Sequence, residues 1–482
     1  MNIKKEIATG VFWSAISKYS GIFVSLIISA ILARLLKPED FGVIAIATVS
    51  INFLSIFSDI GIGTAIIQNS TLNDEDYDEL FTLTLYIGII LLIISFFFSF
   101  YIAEFYKNSE LSLICKILGV NILFASLNTI PNALMIRNKR FKVIAKRTLF
   151  FQLLSGCVGI ILAFNGFGAL SLVLQSSFSC ICIFLFNFYN YKRNISLKLR
   201  FNSIKRIFGF SLYQFLFSFF NYFSRNLDKL IIGKSLNMSD LGYYEKSYRL
   251  MMLPLENITF VINPVLLPTL STLQDNKNEL AKKNEKIISL ISNLSFPLGL
   301  FLHFSAYEII NIYYGQNWNN SVPVFMILSL SIPLQMILST IGSFYQAAGN
   351  TKIMFWGGLS NSFFTLSGFV ISSLYFKTIE AIAWSWVITL SINFFISYYL
   401  LYRLTFKANF ISIINCLRKP IINSIISYAF FLLIFNINIS NNLWFMLFFK
   451  FVICFFITIL LAYVSKQYNF SNLFQTIKNK LK

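Results

Sequence analysis

Apolar runs of 18 or more residues recur along the whole chain, separated by short polar segments. A run of this length forms a helix that can cross the roughly 30 Å of hydrocarbon in a bilayer. The pattern predicts fourteen such spans, at residues 11–33, 41–67, 80–103, 112–136, 148–165, 169–190, 207–233, 241–270, 287–312, 322–347, 353–375, 379–402, 420–437 and 443–464. The spans leave no room for a sizeable soluble domain. We therefore expect an all-α polytopic membrane protein with about 14 transmembrane helices.

The composition agrees with a membrane protein. Of 482 residues, 56% are hydrophobic, 17% are aromatic and only 12% are charged, which lies outside the usual range of soluble domains. The six cysteines fall inside spans or on the side of the N-terminus, where no disulfide is expected. His303 is the only histidine in the sequence. The sequence therefore predicts no metal site and no bound cofactor.

The basic residues are distributed unequally between the two sides of the predicted membrane. The chain has 39 Lys and Arg against 20 Asp and Glu, a formal net charge of +19. Of the 39, 27 lie in segments on the side of the N-terminus and 5 lie in loops on the opposite side. Because cytoplasmic segments carry such an excess, both termini are predicted to be cytoplasmic. The basicity reflects topology and attraction to lipid headgroups, so no nucleic-acid partner is expected.

A short internal repeat links the two halves of the chain. LKPEDFG (36–42) and LNMSDLG (236–242) share Leu, Asp and Gly at an offset of 200 residues, and each joins two spans at the same topological place. Both halves are therefore predicted to enter the membrane in the same direction, as parallel repeats with a substrate path between them.

The segment YKRNISLKLRFNSIKR (191–206) is the strongest internal boundary, with six basic residues and apolar residues at helical spacing. An amphipathic segment on the inner leaflet and a plain solvated loop are both compatible with it. The predicted organisation is a six-helix lobe (1–190), this linker (191–206), a second six-helix lobe (207–402) and a final region with helices thirteen and fourteen (403–482).

Residues 225–249 place charges inside the predicted membrane. The cations are Arg225, Lys229, Lys246 and Arg249, and the carboxylates within helical reach of them are Asp228 and Glu245. Facing lipid, each cation would cost about 2.5–3.5 kcal/mol, so the four are expected to face a bundle interior or a wet cavity. They predict a basic wall at outer-leaflet depth that suits an anion.

Other interpretations of these charges stay open. Lys229 and Lys246 can instead snorkel to the headgroups, and the two arginines can serve structural ion pairs. Lys18 and Asp59 lie at similar depths from the cytoplasmic side and can pair, either for function or for structure.

Prolines are predicted to break several spans. In span eight, Pro254, Pro264 and Pro268 surround Glu256, and broken helices at membrane depth line cavities or act as hinges. Interruptions of other spans are predicted at Pro131, Pro297, Pro323 and Pro333, and a plain kink is equally compatible with each of these prolines taken alone.

Two further residue types are interpreted from their positions. Trp318 is predicted to be an interfacial anchor at the outer surface. Lys116 and Lys450, which lie within spans, are interpreted as snorkelling residues.

Three segments resemble a known family. LARLLKPEDFGVIAIATV (32–49), RNLDKLIIGKSLNMSDLGYYEKSYRLMMLPLENI (225–258) and NPVLLPTLSTLQDN (263–276) are similar to the polysaccharide-transporter branch of the multidrug/oligosaccharidyl-lipid/polysaccharide exporter superfamily. O-antigen flippases and the lipid II flippase belong to the same superfamily, and the resemblance covers essentially the whole chain.

The resemblance implies two pseudo-symmetric six-helix lobes around a central cavity, two extra C-terminal helices and transport by alternating access. The implied substrate is an undecaprenyl-diphosphate-linked oligosaccharide, the repeat unit of an O-antigen, capsule or exopolysaccharide. It would be exported across the bacterial cytoplasmic membrane, alongside the polymerase and glycosyltransferases of the same pathway. Cavity cations of the superfamily contact the diphosphate, and Lys18, Arg225 and Arg249 fit that role here. Most cations lie in the second lobe, which leaves the role of the first lobe open.

Alternative functions are an ion-coupled multidrug exporter, a lipid II flippase and, less favoured, a membrane polysaccharide polymerase. A multidrug exporter would favour buried carboxylates over cations, and an enzyme would need larger outer loops for its catalytic groups. Asp59 and Glu256 are the candidates for a Na⁺ or H⁺ coupling site. The membrane potential acting directly on the diphosphate is the rival source of energy.

Overall fold

The computed structural model describes residues 3–59, 62–68, 72–195, 222, 226–259, 266–267, 269–435 and 440–465. All regular secondary structure in these residues is helical, as the sequence predicts. By their contacts the residues form two compact units, Met1–Gly242 and Tyr243–Lys482. The predicted linker is described only as far as Ile195, so the four-part division of the chain stays a prediction.

The first unit is a bundle of six long helices and two short ones, counted among the described residues. They are α1 (Ile3–Leu35), α2 (Pro38–Asp59), α3 (Ile62–Gln68), α4 (Asp74–Tyr106), α5 (Glu110–Arg137), α6 (Phe141–Phe164), α7 (Ala169–Asn190) and α8 (226–235). Helix α5 packs against α4 and α7, while α1 packs against α6. A Cβ atom on Gly119 of α5 would lie 2.1 Å from the Ser95 hydroxyl of α4, so this glycine lets the two helices approach closely.

The second unit continues from α9 and contains several broken helices. Its elements are α9 (Met238–Pro254), a π-helical turn (Leu255–Thr259), α10 (Lys277–Phe304), α11 (Ala306–Tyr313), a 3₁₀ turn (Gln316–Trp318), α12 (Ser321–Ser329), α13 (Ile332–Leu338), α14 (Ile341–Ala347), α15 (Thr351–Tyr375), α16 (Ile379–Tyr399), a second π-helical turn (Leu400–Phe406), α17 (Ile411–Phe435) and α18 (Leu443–Val464). Helix α10 lies at its centre and packs against α13 and α17.

Ten helices among the described residues are long and apolar enough to cross a membrane. They correspond to predicted spans one to six, nine and twelve to fourteen. A further pair, Ser321–Ser329 and Ile332–Ala347, passes the same test together but is bent by 48°; it corresponds to span ten. Span seven lies mostly outside the described residues, so the total of fourteen stays a prediction.

The prolines break some of the predicted spans and leave others continuous. Pro131 and Pro297 lie inside the continuous helices α5 and α10, so a plain kink is the alternative that stays open there. Pro264 and Pro268 lie outside the described residues. Proline removes one helical hydrogen bond, and neighbouring helices in a membrane bundle can accommodate that loss. The prediction is confirmed at Pro254, where α9 gives way to the π-helical turn. It is also confirmed at Pro333, which lies in the first turn of α13 just after the bend.

Each motif of the internal repeat places a hydrogen-bonded aspartate in the first turn of a helix. At the start of α2, the Asp40 carboxylate accepts a hydrogen bond from the backbone N–H of Lys37 at 2.8 Å. At the start of α9, the Asp240 carboxylate accepts a hydrogen bond from the side-chain NH₂ group of Asn237 at 2.8 Å. The backbone N–H of Asp240 donates in return to the side-chain oxygen of Asn237 at 2.7 Å. An acidic residue in the first turn also stabilises the helix, because its negative charge lies at the positive end of the helix dipole.

The two helix starts cross at their glycines. A Cβ atom on Gly42 would lie 1.8 Å from the Met238 carbonyl oxygen, and one on Gly242 would lie 1.9 Å from the Pro38 carbonyl oxygen. The two contacts are reciprocal, because each glycine of one motif meets the first helical residue of the other. Backbone atoms cannot swing aside as side chains do, so only glycine fits at either position. The two copies of the motif are therefore partners in one contact, which we call the glycine joint.

Candidate functional site

In the first unit, the predicted site residues lie on three helices. Lys18 is exposed on α1, Asp228 of α8 is buried with 2% of its surface exposed, and Lys229 is half-buried. Asp59 is the last residue of α2, but its side chain lies outside the described part of the structure, as does the whole of Arg225. The pairing of Lys18 with Asp59 and the depth of Arg225 therefore stay predictions.

In the second unit, Lys246 lies in an aromatic pocket. Only 3% of its surface is exposed, and its ammonium lies 5.0 Å from the ring centroid of Tyr314 and 5.8 Å from that of Trp318. Burial raises the pKa of Tyr314, so its hydroxyl stays protonated beside this cation. The faces of the aromatic rings attract the ammonium, and this cation–π attraction keeps the lysine side chain in its pocket. In this structure Lys246 holds α9 against the segment that precedes α12.

Hydrogen bonds reinforce the same attachment. The Ser247 hydroxyl donates to the Ser321 carbonyl at 2.9 Å, and the Ser321 hydroxyl donates to the Tyr243 carbonyl at 3.1 Å. Tyr243 also packs edge-on against Trp318, with ring centroids 5.9 Å apart. Trp318 is completely buried, so its prediction as an interfacial anchor is wrong. Its indole fills the core between α9 and the start of α12 rather than reaching headgroups.

The other charges of α9 have access to solvent or lipid. Arg249, one turn beyond Lys246, is exposed, and Glu245 is half-buried. Glu256 is exposed on the π-helical turn that follows α9. A π-helical turn is an unusual geometry that is found frequently at functional sites. Arg249 and Glu256 are therefore the most exposed of the predicted site residues in the second unit.

Two buried cations were not recognised as such in the sequence. Arg147 lies on α6, although the predicted span begins only at residue 148, and 7% of its surface is exposed. Its guanidinium donates to the side-chain oxygens of Asn187 and, at 3.5 Å, of Asn132. The apolar residues just before it, Val143 to Ala145, were the signal that the helix starts earlier.

Lys450 of α18 is the second of these cations. Its ammonium lies 2.6 Å from the Glu308 carboxylate and donates to the Phe304 carbonyl at 2.8 Å. Both side chains are buried, with 8% and 6% exposed. Lys450 is therefore ion-paired, and its interpretation as a snorkelling residue is wrong. The available signal was Glu308, a carboxylate inside predicted span nine.

The first unit also contains a large apolar cavity between α2, α4 and α8, with a volume of about 670 Å³. The described residues that line it are Val49, Ser50, Phe53, Phe98, Tyr101, Ile102, Glu104, Phe105, Tyr106, Tyr222 and Leu230. Hydrogen bonds fix its walls to one another. The Tyr106 hydroxyl donates to the Leu230 carbonyl at 3.3 Å, and the Tyr222 hydroxyl donates to the Val49 carbonyl. Within the described residues, no group of His, Cys, Asp and Glu side chains could hold a metal ion.

Comparison with known proteins identifies relatives of this chain. A family model described as "Polysaccharide biosynthesis protein" matches residues 31–323. The chain is 23% identical to the lipopolysaccharide biosynthesis protein WzxC of Escherichia coli (strain K12), over 89% of this chain and 88% of that protein. It is also 23% identical to the succinoglycan biosynthesis transport protein ExoT of Rhizobium meliloti (strain 1021), over 79% of this chain and 77% of that protein.

The fold has a counterpart among solved structures. The lipid II flippase MurJ, in an inward closed conformation, matches with a TM-score of 0.73 and 16% identity, over 94% of this chain and 98% of that chain. At this identity the likeness shows the fold alone.

Proposed function

The chain belongs to the polysaccharide biosynthesis protein family, and on that premise we propose that it is a flippase for a lipid-linked oligosaccharide. It carries an undecaprenyl-diphosphate-linked repeat unit of an O-antigen, capsule or exopolysaccharide from the inner to the outer leaflet of the bacterial cytoplasmic membrane. The observation that carries this proposal is the likeness to WzxC and ExoT over 89% and 79% of the chain. Substrate movement occurs by alternating access, without a catalytic step.

The intramembrane cations supply what a diphosphate needs in hydrocarbon. Fixed charges replace the hydration of the phosphates, and an arginine guanidinium can bind two phosphate oxygens at once. We assign this contact to the exposed Arg249 and Lys18 and the half-buried Lys229, together with Arg225. Lys246 is buried against Tyr314 and Trp318, so we assign it the positioning of α9 in this conformation rather than direct contact.

The carboxylates have two roles in this proposal. Asp228 and Glu245 offset part of the positive charge on α8 and α9. Asp59 and Glu256 are the candidates for a Na⁺ or H⁺ site that returns the empty protein to its inward-facing state. The membrane potential is an alternative driving force, because outward movement of negative charge is worth about 2.3 kcal/mol per charge per 100 mV.

Transport into the outer leaflet of proteoliposomes tests the function directly. Lipid-linked oligosaccharide in the inner leaflet should become accessible to an external glycosidase only in vesicles that contain the protein. A K⁺-diffusion potential without a Na⁺ or pH gradient separates the two driving forces. Full transport under that potential, unchanged by Asp59→Asn and Glu256→Gln, would exclude obligatory ion coupling at these residues.

Lipid II is the second candidate substrate, because the fold is that of MurJ. It shares the polyprenyl diphosphate and differs in its sugars, so the same vesicles loaded with lipid II discriminate between the two. Export of a cationic dye instead of either lipid would indicate a multidrug exporter.

The cellular setting follows from the same proposal. The protein is a multi-pass membrane protein, and we propose that both termini face the cytoplasm. Membrane lipids surround it, and the polymerase and glycosyltransferases of the same pathway are its expected functional partners.

A further inference from the structure

The apolar cavity of the first unit opens on the outer face of α4. Tyr101 and Phe105, which line it, are 70% and 53% exposed. They continue a stripe of exposed apolar residues at helical spacing on α4, which includes Ile90, Ile94 and Phe97. An exposed apolar stripe on a membrane helix faces lipid. The cavity is therefore accessible from the hydrocarbon region of the bilayer.

Charged residues lie at the edge of this apolar cavity. The Lys234 ammonium lies 3.9 Å from the ring centroid of Phe105 and donates to the Phe105 carbonyl at 2.6 Å. Glu104, one residue before Phe105, is the acidic residue among those that line the cavity, and it is exposed. Lys234 therefore offers an ammonium group to the anionic head of a molecule whose apolar chain fills the cavity.

We propose that this cavity binds the first isoprene units of the polyprenyl chain of the lipid-linked substrate, next to the diphosphate. The inference rests on the proposed function and deepens it by giving the first half of the chain a role. A volume of about 670 Å³ lies in the range of specific small-molecule sites, about 300–1,000 Å³. The chain enters from the lipid through the mouth at Tyr101 and Phe105, while Lys234 of α8, beside Phe105, contacts the phosphates.

Photochemical capture identifies the occupant. A benzoylphenylalanine that replaces Phe98 lies in the cavity wall, whereas one that replaces Ile94 faces lipid and serves as the matched control. After irradiation in native membranes, mass spectrometry should show polyprenyl species enriched at position 98 by at least about tenfold over position 94, which corresponds to about 1.4 kcal/mol. The same phospholipid mixture at both positions would overturn the proposal.

Filling the cavity tests its role in transport. Ser50→Phe, or Leu230→Phe if the first variant does not fold, should lower transport of the undecaprenyl-linked substrate by about tenfold. In the same variant, an analogue with a single isoprene unit should lose clearly less of its transport rate, because one unit fills only a small part of the cavity and leaves room for the added phenyl ring. Ile90→Phe, on the lipid-facing surface of α4, is the control and should change neither rate.

The outcomes separate this inference from the proposed function. Equal loss for both chain lengths, or no loss for either, would overturn the chain-binding role. Wild-type vesicles that move neither substrate would refute the proposed function, while capture at position 98 would still decide what the cavity binds.

Discussion

Helices α2 and α9 begin alike and then differ in chemistry. Both start with an acidic residue in the first turn and pass through the glycine joint. Beyond Gly42, α2 continues with buried apolar residues such as Val43 and Ile46. Beyond Gly242, α9 carries Glu245, Lys246 and Arg249 within two turns.

The difference separates the residues of the repeat that build the joint from those that set the chemistry of each helix. The shared residues make the turn, the cap and the close crossing, and these are needed in both copies. The residues that differ follow the joint and determine whether a helix presents an apolar wall or a charge. The repeated framework is therefore compatible with two different helix surfaces, one apolar and one charged.

Reporter fusions can test the direction in which the two copies of the repeat enter the membrane, because each fusion point lies on one side or the other. Reporter fusions at Asn194 and Asn278 should give a cytoplasmic signal, and fusions at Asn108 and Asn319 should give a signal on the opposite side. An external signal at Asn278 would mean that α9 runs opposite to α2. The comparison between the two helices would then fail.

Removal of the exposed cation of α9, Arg249, should have the next largest effect. Arg249→Ala should lower surface polysaccharide by ~30-fold or more, since loss of a close charge contact costs about 2–5 kcal/mol. Arg249→Lys should retain part of the activity, because the charge remains while the fork geometry is lost. Lys352→Ala, which removes an exposed cation at the start of α15, is the control. Normal polysaccharide display by Arg249→Ala, with the protein at wild-type levels, would contradict the site.

The glycine joint should respond to a single added methyl group. Gly42→Ala and Gly242→Ala should each destabilise the protein by about 1–3 kcal/mol, because the new Cβ atom would overlap a backbone carbonyl. The two substitutions disturb one contact, so their combined effect in thermal unfolding should be less than additive. Gly358→Ala, where a Cβ atom has open space within α15, should be neutral or stabilising. Additive losses would show that the glycines do not share a contact.

The smallest effect is expected at the buried cation of α9. Lys246→Met keeps most of the side-chain volume against Tyr314 and Trp318, so the stability cost should be less than about 1.5 kcal/mol. Transport should remain close to wild type, in contrast to Arg249→Ala. A loss of transport as large as that of Arg249→Ala, with the protein still folded, would place Lys246 in contact with the substrate.

Much of the fold follows from hydropathy, because the bilayer imposes one simple demand on every span. The predicted span 443–464 has the same limits as α18, a highly apolar helix of which many side chains are exposed. Hydropathy does not tell which face of a helix meets protein. Trp318 was therefore placed at the surface and Lys450 at the headgroups, although both are buried.

The candidate site was predicted only in part for the same reason. The sequence identified the charged segment of α8 and α9 and the repeated motif. It could not show that Lys246 is enclosed by aromatic rings from residues about 70 positions away, or that Arg147 has amide partners on two other helices. Those partners are distant in sequence, and only the packed structure brings them together.

The Lys450–Glu308 ion pair has a consequence for the biogenesis of the protein. Its two residues are 142 positions apart, so Glu308 enters the membrane before Lys450 has been synthesised. A carboxylate without its cation is costly in the apolar interior of a membrane protein, and Glu308 is buried in the folded chain. The pair therefore forms only after α18 has been inserted and docks beside α11, so the completion of the second unit waits for a helix that is distant in sequence.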